Sequence, residues 1–228
     1  MTTRPEKWSA ISSRGRSKGK SLRLTPNVVT SLSLPLAVCA AFFLSQGVPY
    51  FSFLLILLCG CCDILDGYLA KKKGLATPFG AFLDSTIDRI VDLLLFSGIL
   101  FFYLREGDLL MAGVTYWVMG GSLVVSYARA RAENFIPDCR VGFWERPERI
   151  ILILMGLLTN RLKTVLWILA FGIPVTVLHR IIHTRSILQK KEPSPFQRLL
   201  LHHYPRKSWS YRILVLLVIL LTLSVKLP

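Results

Sequence analysis

The stretch that decides the fold is Asp63-Ile64-Leu65-Asp66-Gly67-Tyr68-Leu69-Ala70-Lys71, followed after a short break by Gly80-Ala81-Phe82-Leu83-Asp84-Ser85-Thr86-Ile87-Asp88. Four carboxylates sit between two strongly apolar flanks. Asp63 and Asp66 are i and i+3 and share one helix face. Gly80, Asp84 and Asp88 follow at i, i+4 and i+8, a stripe down one face of the next helix. Gly74 and Pro78 break the helix between them. The pattern predicts a helical hairpin whose arms each bring two carboxylates to one membrane edge. Charges in such a setting are costly, and they mark function by default.

The surrounding chain fits a membrane protein. It has 228 residues, 53% of them hydrophobic, and a formal net charge of +15. The apolar residues fall into runs of near-spanning length, so the expected fold is an all-α integral membrane protein, a six-helix transmembrane bundle. The runs cover about 25–44, 50–70, 78–104, 109–127, 145–160 and 162–182. A basic segment, residues 1–24, precedes them, and residues 183–228 form a basic segment with a further apolar run at 211–227. That last run reaches only about 25 Å at helical rise, marginal for a seventh span. Residues 25–182 are thus the expected six-helix domain.

Basic residues cluster at the ends of the apolar runs, as orientation signals do, and do not point to a nucleic-acid partner. The bias puts residues 1–24, the 71–73 turn, the 129–149 loop and the 183–210 segment in the cytoplasm. The expected location is the cell (inner or plasma) membrane, multi-pass, with all four aspartates at the cytoplasmic face. Five cysteines lack zinc-ligand spacing, and four of them lie in apolar runs as small hydrophobes.

Four converging carboxylates need a cation to stay ionised together. An oxygen-only donor set favours Mg²⁺, Mn²⁺ or Ca²⁺. Two such ions would suit a diphosphate, and a carboxylate not ligating them could serve as a general base. The competing structural reading pairs the aspartates with Lys71, Lys72 and Arg89 as an interfacial salt-bridge network.

The order Asp-x2-Asp-Gly-x2-Ala-Lys-x8-Gly-x3-Asp-x3-Asp resembles the motif of the CDP-alcohol phosphatidyltransferases at Asp63, Asp66, Gly67, Ala70, Gly80, Asp84 and Asp88. The departure is Lys71, where that family usually carries Arg. Lysine keeps the charge but loses the bidentate fork. The resemblance implies six transmembrane helices, a homodimer, and Mg²⁺ (or Mn²⁺), two per site. It implies transfer of a phosphatidyl group from a CDP-linked lipid to an alcohol, with release of CMP, in phospholipid biosynthesis. Asp63, Asp66 and Asp84 would be metal ligands. Asp88 would be the catalytic base and could also touch the second metal. Asn27, Thr30, Gly67, Ala70, Lys71, Thr77 and Gly80 would line the CDP-lipid site, with CDP-diacylglycerol or a CDP-archaeol-like lipid as donor.

Ser126–Glu133 and Glu145–Arg149 look like the corresponding blocks of phosphatidyl- and archaetidyl-inositol-phosphate synthases. On that resemblance Arg131, Arg146 and Arg149 would bind the phosphate of a phosphorylated alcohol such as inositol phosphate. Glycerol 3-phosphate is the alternative acceptor. Asp92 continues the acidic stripe one turn further and is expected to orient ligands or to be structural. His179 and His183, at i and i+4, have no partnering carboxylate nearby in sequence and are expected to face solvent or lipid. Two other classes fit less well. A prenyl-diphosphate transferase would place its aspartates on well-separated helices. A cation transporter would place carboxylates near the bilayer centre on broken helices.

Overall fold

The computed structural model describes residues 26–72, 77–139 and 141–189, apart from the side chains at 26, 27, 70 and 71. The expected basic segment 1–24 and the apolar run 211–227 lie outside the described residues. Within them the chain is all-helical. The helices are α1 (Pro26–Ser45), α2 (Pro49–Lys72), α3 (Pro78–Arg105), α4 (Leu109–Ala132), α5 (Arg146–Leu158) and α6 (Leu162–Leu188). Proline starts α1, α2 and α3, where its missing N–H costs nothing and its fixed φ suits the first turn. Thr77 caps α3 by accepting from the Gly80 amide at 2.9 Å. Asp108 caps α4 by accepting from the Met111 amide at 3.1 Å.

Four of these helices, α1, α2, α4 and α6, are long and apolar enough to cross a membrane. The other two differ for physical reasons. α3 is the longest, with 28 residues, but it carries Asp84, Asp88, Arg89 and Asp92 before its apolar second part. α5 has only 13 residues, roughly 20 Å of rise, short of a hydrocarbon core. α6 extends beyond the expected end at Ile182. The basic residues of its last turns do not end it, since basic groups favour a helix C-terminus.

α1 packs on both α2 and α3, α4 on α3 and α6, and α5 on α2 and α6. The core between them is built from Ile56, Val91, Phe96, Val118, Ile153 and Leu169. Gly98 lets α3 meet α1 backbone to backbone: a Cβ there would fall 2.5 Å from the Ala41 carbonyl oxygen. In α6, Pro174 cannot donate to the Ala170 carbonyl, and the Trp117 indole of α4 donates to it instead at 3.2 Å. The outer surface is apolar. Leu32, Phe42, Leu54, Phe101, Tyr116 and Phe171 are all exposed. A bundle apolar outside as well as inside is built for a lipid solvent.

The connections α1–α2, α3–α4 and α5–α6 gather at one end. The acidic hairpin, the C-terminal end of α4 and the start of α5 gather at the other. The loop before α5 is fixed by Trp144, which covers Gly172 so closely that a Cβ there would sit 2.0 Å from the indole nitrogen. That contact sets where Glu145 and Arg146 enter the site.

Candidate active site

The hairpin forms as its spacing requires. An oxygen from each of Asp63, Asp66 and Asp84 lies within 4.8 Å of the others. Asp66 is buried, and it accepts a 2.5 Å hydrogen bond from the Thr30 hydroxyl of α1. Asp84 Oδ1 is buried with no hydrogen-bond partner. A buried carboxylate oxygen left without a donor, beside two other carboxylates, fits a cation ligand. All the donors are hard oxygens, which suits Mg²⁺ or Mn²⁺. Gly67 lies beside them on an open face, where an added Cβ would meet nothing within 4 Å. A ligand can therefore reach the backbone there.

Asp88 and Asp92 stand one and two turns further along α3 and face guanidinium groups. Arg146, in the first turn of α5, lies 2.7 Å from Asp63 Oδ2 and 2.7 Å from Asp88 Oδ1 through the same Nη1. Its Nε lies 3.3 Å from Asp92 Oδ1. Arg149, 1% exposed, sits 2.6 Å from Asp92 Oδ2 and donates to the Trp144 carbonyl at 3.1 Å. Asp92 thus holds two arginines of α5 against α3. Of the cations in the salt-bridge reading, Arg89 is 3.8 Å from Asp88 and Lys72 lies over the Tyr68 ring. The strongest partner of the aspartates is Arg146, from a distant part of the chain.

A cavity of about 500 Å³ opens beside these groups, lined by Asp63, Asp88, Arg129, Arg146, Arg149 and Arg180 among others. Arg180 was not anticipated from the sequence, and Arg129 lies in the block Ser126–Glu133 in which Arg131 was singled out instead. Arg180 is buried in α6, donates to the Val141 carbonyl at 3.0 Å and to the Val125 carbonyl, and lies 3.4 Å from Glu145. The available signal was an arginine inside an apolar run, where charge is rarely accidental. Arg129 pairs with Glu133 at 2.9 Å and with Glu145 at 3.6 Å.

The structure brings Arg146 and Arg149 together at this cavity, whereas Arg131 is exposed with its guanidinium 5.2 Å from the Phe135 ring centroid. Thr30 reaches the cluster through Asp66. Thr77 and Gly80 cap α3 at its edge. The side chains of Asn27, Ala70 and Lys71 lie outside the described residues. His179 is buried in the bundle, not turned to solvent or lipid as expected. It sits on the inner face of α6 beside Arg180, where the packed neighbours exclude both.

The fold and site define a class: a helical membrane protein with a carboxylate cluster able to hold a hard cation, set against a basic cavity. The family follows from comparison. The sequence model of the CDP-alcohol phosphatidyltransferases matches residues 23–188, and the chain belongs to that family. It is a metal-dependent transferase of phospholipid biosynthesis. It is similar to the archaetidylinositol phosphate synthase of Pyrococcus horikoshii, 32% identical over 74% of this chain and 88% of that one. It is 36% identical to the phosphatidylinositol phosphate synthase of Mycobacterium tuberculosis over 71% of this chain and 79% of that one. Crystal structures of the M. tuberculosis enzyme superpose with a TM-score of 0.67 with CDP-DAG bound, at 33% identity over 72% of this chain and 87% of that one. With manganese and citrate bound, the TM-score is 0.68, at 32% identity over 72% and 83%.

Proposed function

We propose that this chain transfers the phosphatidyl group of a CDP-linked lipid to inositol phosphate, releasing CMP. The observation that carries the proposal is the single cavity in which Asp63 and Asp88 face Arg129, Arg146, Arg149 and Arg180. A carboxylate site for a metal-bound diphosphate stands next to a basic site for a second, phosphorylated substrate. The names of the relatives support the same acceptor and donor.

Asp63, Asp66 and Asp84 would hold Mg²⁺ or Mn²⁺, two ions per site in this reading, with Asp88 as a further ligand. Bound there, the cation supplies positive charge to the diphosphate and to the departing CMP. Thr30 orients Asp66 by donating to it. Gly67 and Gly80 leave room for the nucleotide, with Asn27, Ala70, Lys71 and Thr77 lining its path. Arg146 and Arg149 receive the acceptor's phosphate, joined by Arg180 and Arg129. Asp88 removes the proton from the acceptor hydroxyl. The hydroxyl oxygen then bonds to the lipid-bearing phosphorus, and the phosphoanhydride bond to CMP breaks.

Residues 25–182 form the catalytic domain in this proposal, between the basic segment 1–24 and the segment 183–228. Six helices cross or enter the cell membrane, the chain is a homodimer, and the site faces the cytoplasm. The placement of lysine and arginine supports that orientation.

The test uses purified protein in detergent with Mg²⁺ and CDP-diacylglycerol, and inositol phosphate, glycerol 3-phosphate or serine offered in parallel. CMP release should depend on inositol phosphate and fall by about 10²–10⁴ in D88N. Release with glycerol 3-phosphate alone moves the acceptor assignment. No release with any acceptor, or full activity in D88N, sinks the mechanism.

A further inference from the structure

The cavity arginines are not equivalent. Arg149 is held by Asp92 and the Trp144 carbonyl, and Arg180 by the Val125 and Val141 carbonyls and Glu145. Arg129 is held by Glu133 and Glu145. None of these partners belongs to the four-aspartate motif. Arg146 is different. One of its nitrogens touches two motif carboxylates, Asp63 and Asp88, at 2.7 Å each. Asp63 is also one of the three carboxylates whose oxygens converge. The same acid therefore serves a guanidinium and the place suited to a hard cation.

Two positive charges drawing on one small set of carboxylates repel each other, and they do so strongly where the surroundings are poor in water. Arg146 is only 19% exposed at its side chain, so solvent screens this little. It also has somewhere to go. Its Nε already reaches Asp92, outside the motif, and its guanidinium borders the cavity. Swinging away from Asp63 and Asp88 would leave it tethered at Asp92 with free donors turned to an incoming anion.

We infer that Arg146 is a built-in counter-cation of the aspartate cluster, released toward the cavity when a divalent cation loads the site, so that metal and the acceptor's phosphate bind cooperatively. The inference rests on the reading of Asp63, Asp66 and Asp84 as ligands. Before loading, Arg146 neutralises the acids and holds Asp88 in an ion pair. After loading, Asp88 is released from its ion pair with Arg146, and the guanidinium can meet the acceptor. By reciprocity, phosphate must tighten metal binding by the same factor as metal tightens phosphate binding.

The full-length protein in detergent, without lipid donor, tests this. Phenylglyoxal labelling of individual arginines is followed by peptide mass spectrometry with and without Mn²⁺. Labelling of Arg146 should rise about fivefold or more with Mn²⁺, while Arg149, anchored at Asp92, stays unchanged. Mn²⁺ affinity is then read by electron paramagnetic resonance. R146Q should bind Mn²⁺ about tenfold more tightly than the parent, with R146K between them. Inorganic phosphate should tighten Mn²⁺ in the parent by about fivefold and in R146Q by much less. Mn²⁺ that binds with Arg146 labelling unchanged, or that binds R146Q no more tightly than the parent, overturns this inference alone. A parent that binds no Mn²⁺ overturns the metal reading and this inference together. The labelling needs no variant, so poor folding of R146Q leaves the test intact.

Discussion

Asp84 and Asp92 are the same residue type on the same face of α3, two turns apart, and they live in opposite circumstances. Asp84 keeps a buried oxygen with no donor, next to two more carboxylates. Asp92 is buried too, and each of its oxygens meets a guanidinium, Arg149 at 2.6 Å and Arg146 at 3.3 Å. An unsatisfied buried acid costs stability and is tolerated where a ligand will satisfy it. A satisfied one holds parts together. The stripe on α3 thus passes from chemistry to architecture over two turns, and Asp88, between them, is shared through Arg146.

Breaking each end should separate these roles. In D84N, CMP release should fall by roughly three orders of magnitude, on the scale of losing a group that supports charge in the transition state. The thermal midpoint in detergent should not fall, because Asp84 Oδ1 gives up no hydrogen bond. D92N should act on stability first. It strips Arg149 of its charge partner in a 1% exposed site and should cost about 3–5 kcal/mol, seen as a lower midpoint and poor recovery from the membrane. Pairing Asp92→Leu with Arg149→Met should restore much of that loss, since well-packed apolar residues often replace a buried pair without penalty. A D92N protein as stable as its parent would erase the distinction between the two acids.

The acid stripe and the arginines that meet it were unequally legible in the sequence. Asp63, Asp66, Asp84 and Asp88 lie on consecutive helices close together in sequence, so helical periodicity sets each pair on one face. The break between the arms was readable for a similar reason: Gly74 and Pro78 are local signals. Arg146 is a different case. Its block was picked out by resemblance, but its contact with Asp63 spans 83 residues and depends on how α5 packs on α2 and α6. No local pattern encodes that. Arg180 was hidden by its setting, a lone charge within the apolar run of α6. The end of α6 was misplaced because its basic last turns read as loop, although they suit a helix C-terminus.

A smaller effect separates orientation from ligation within the cluster. Thr30 reaches Asp66 from α1 and does not itself belong to the carboxylate group. In T30V the shape is kept and the donor lost. Mn²⁺ affinity should fall by about 10–100-fold, the range for groups that orient ligands. The fold should stay intact, because α1 remains anchored by the close Gly98–Ala41 contact. An unchanged Mn²⁺ affinity would show that the Thr30 bond is packing only.

The smallest effect belongs to the opposite end of the bundle, where a carboxylate and a cation also meet but nothing catalytic depends on them. Asp108 caps α4 and lies 3.2 Å from Lys163, both substantially solvated. The Met111 amide, and then Lys163, hold the Asp108 carboxyl below its ordinary value. A depressed carboxyl stabilises the fold above its unfolded value, about 3.9, and that contribution is lost as pH falls through the lower folded value. K163A removes only the exposed partner and leaves the cap. CMP release should be unchanged, and the midpoint at neutral pH should move by no more than the scatter between preparations. Any residual difference between K163A and its parent should vanish once the pH drops below the folded value of Asp108. A loss of CMP release in K163A would mean that this end communicates with the aspartates through α3, and the contrast between a working end and an inert one would no longer hold.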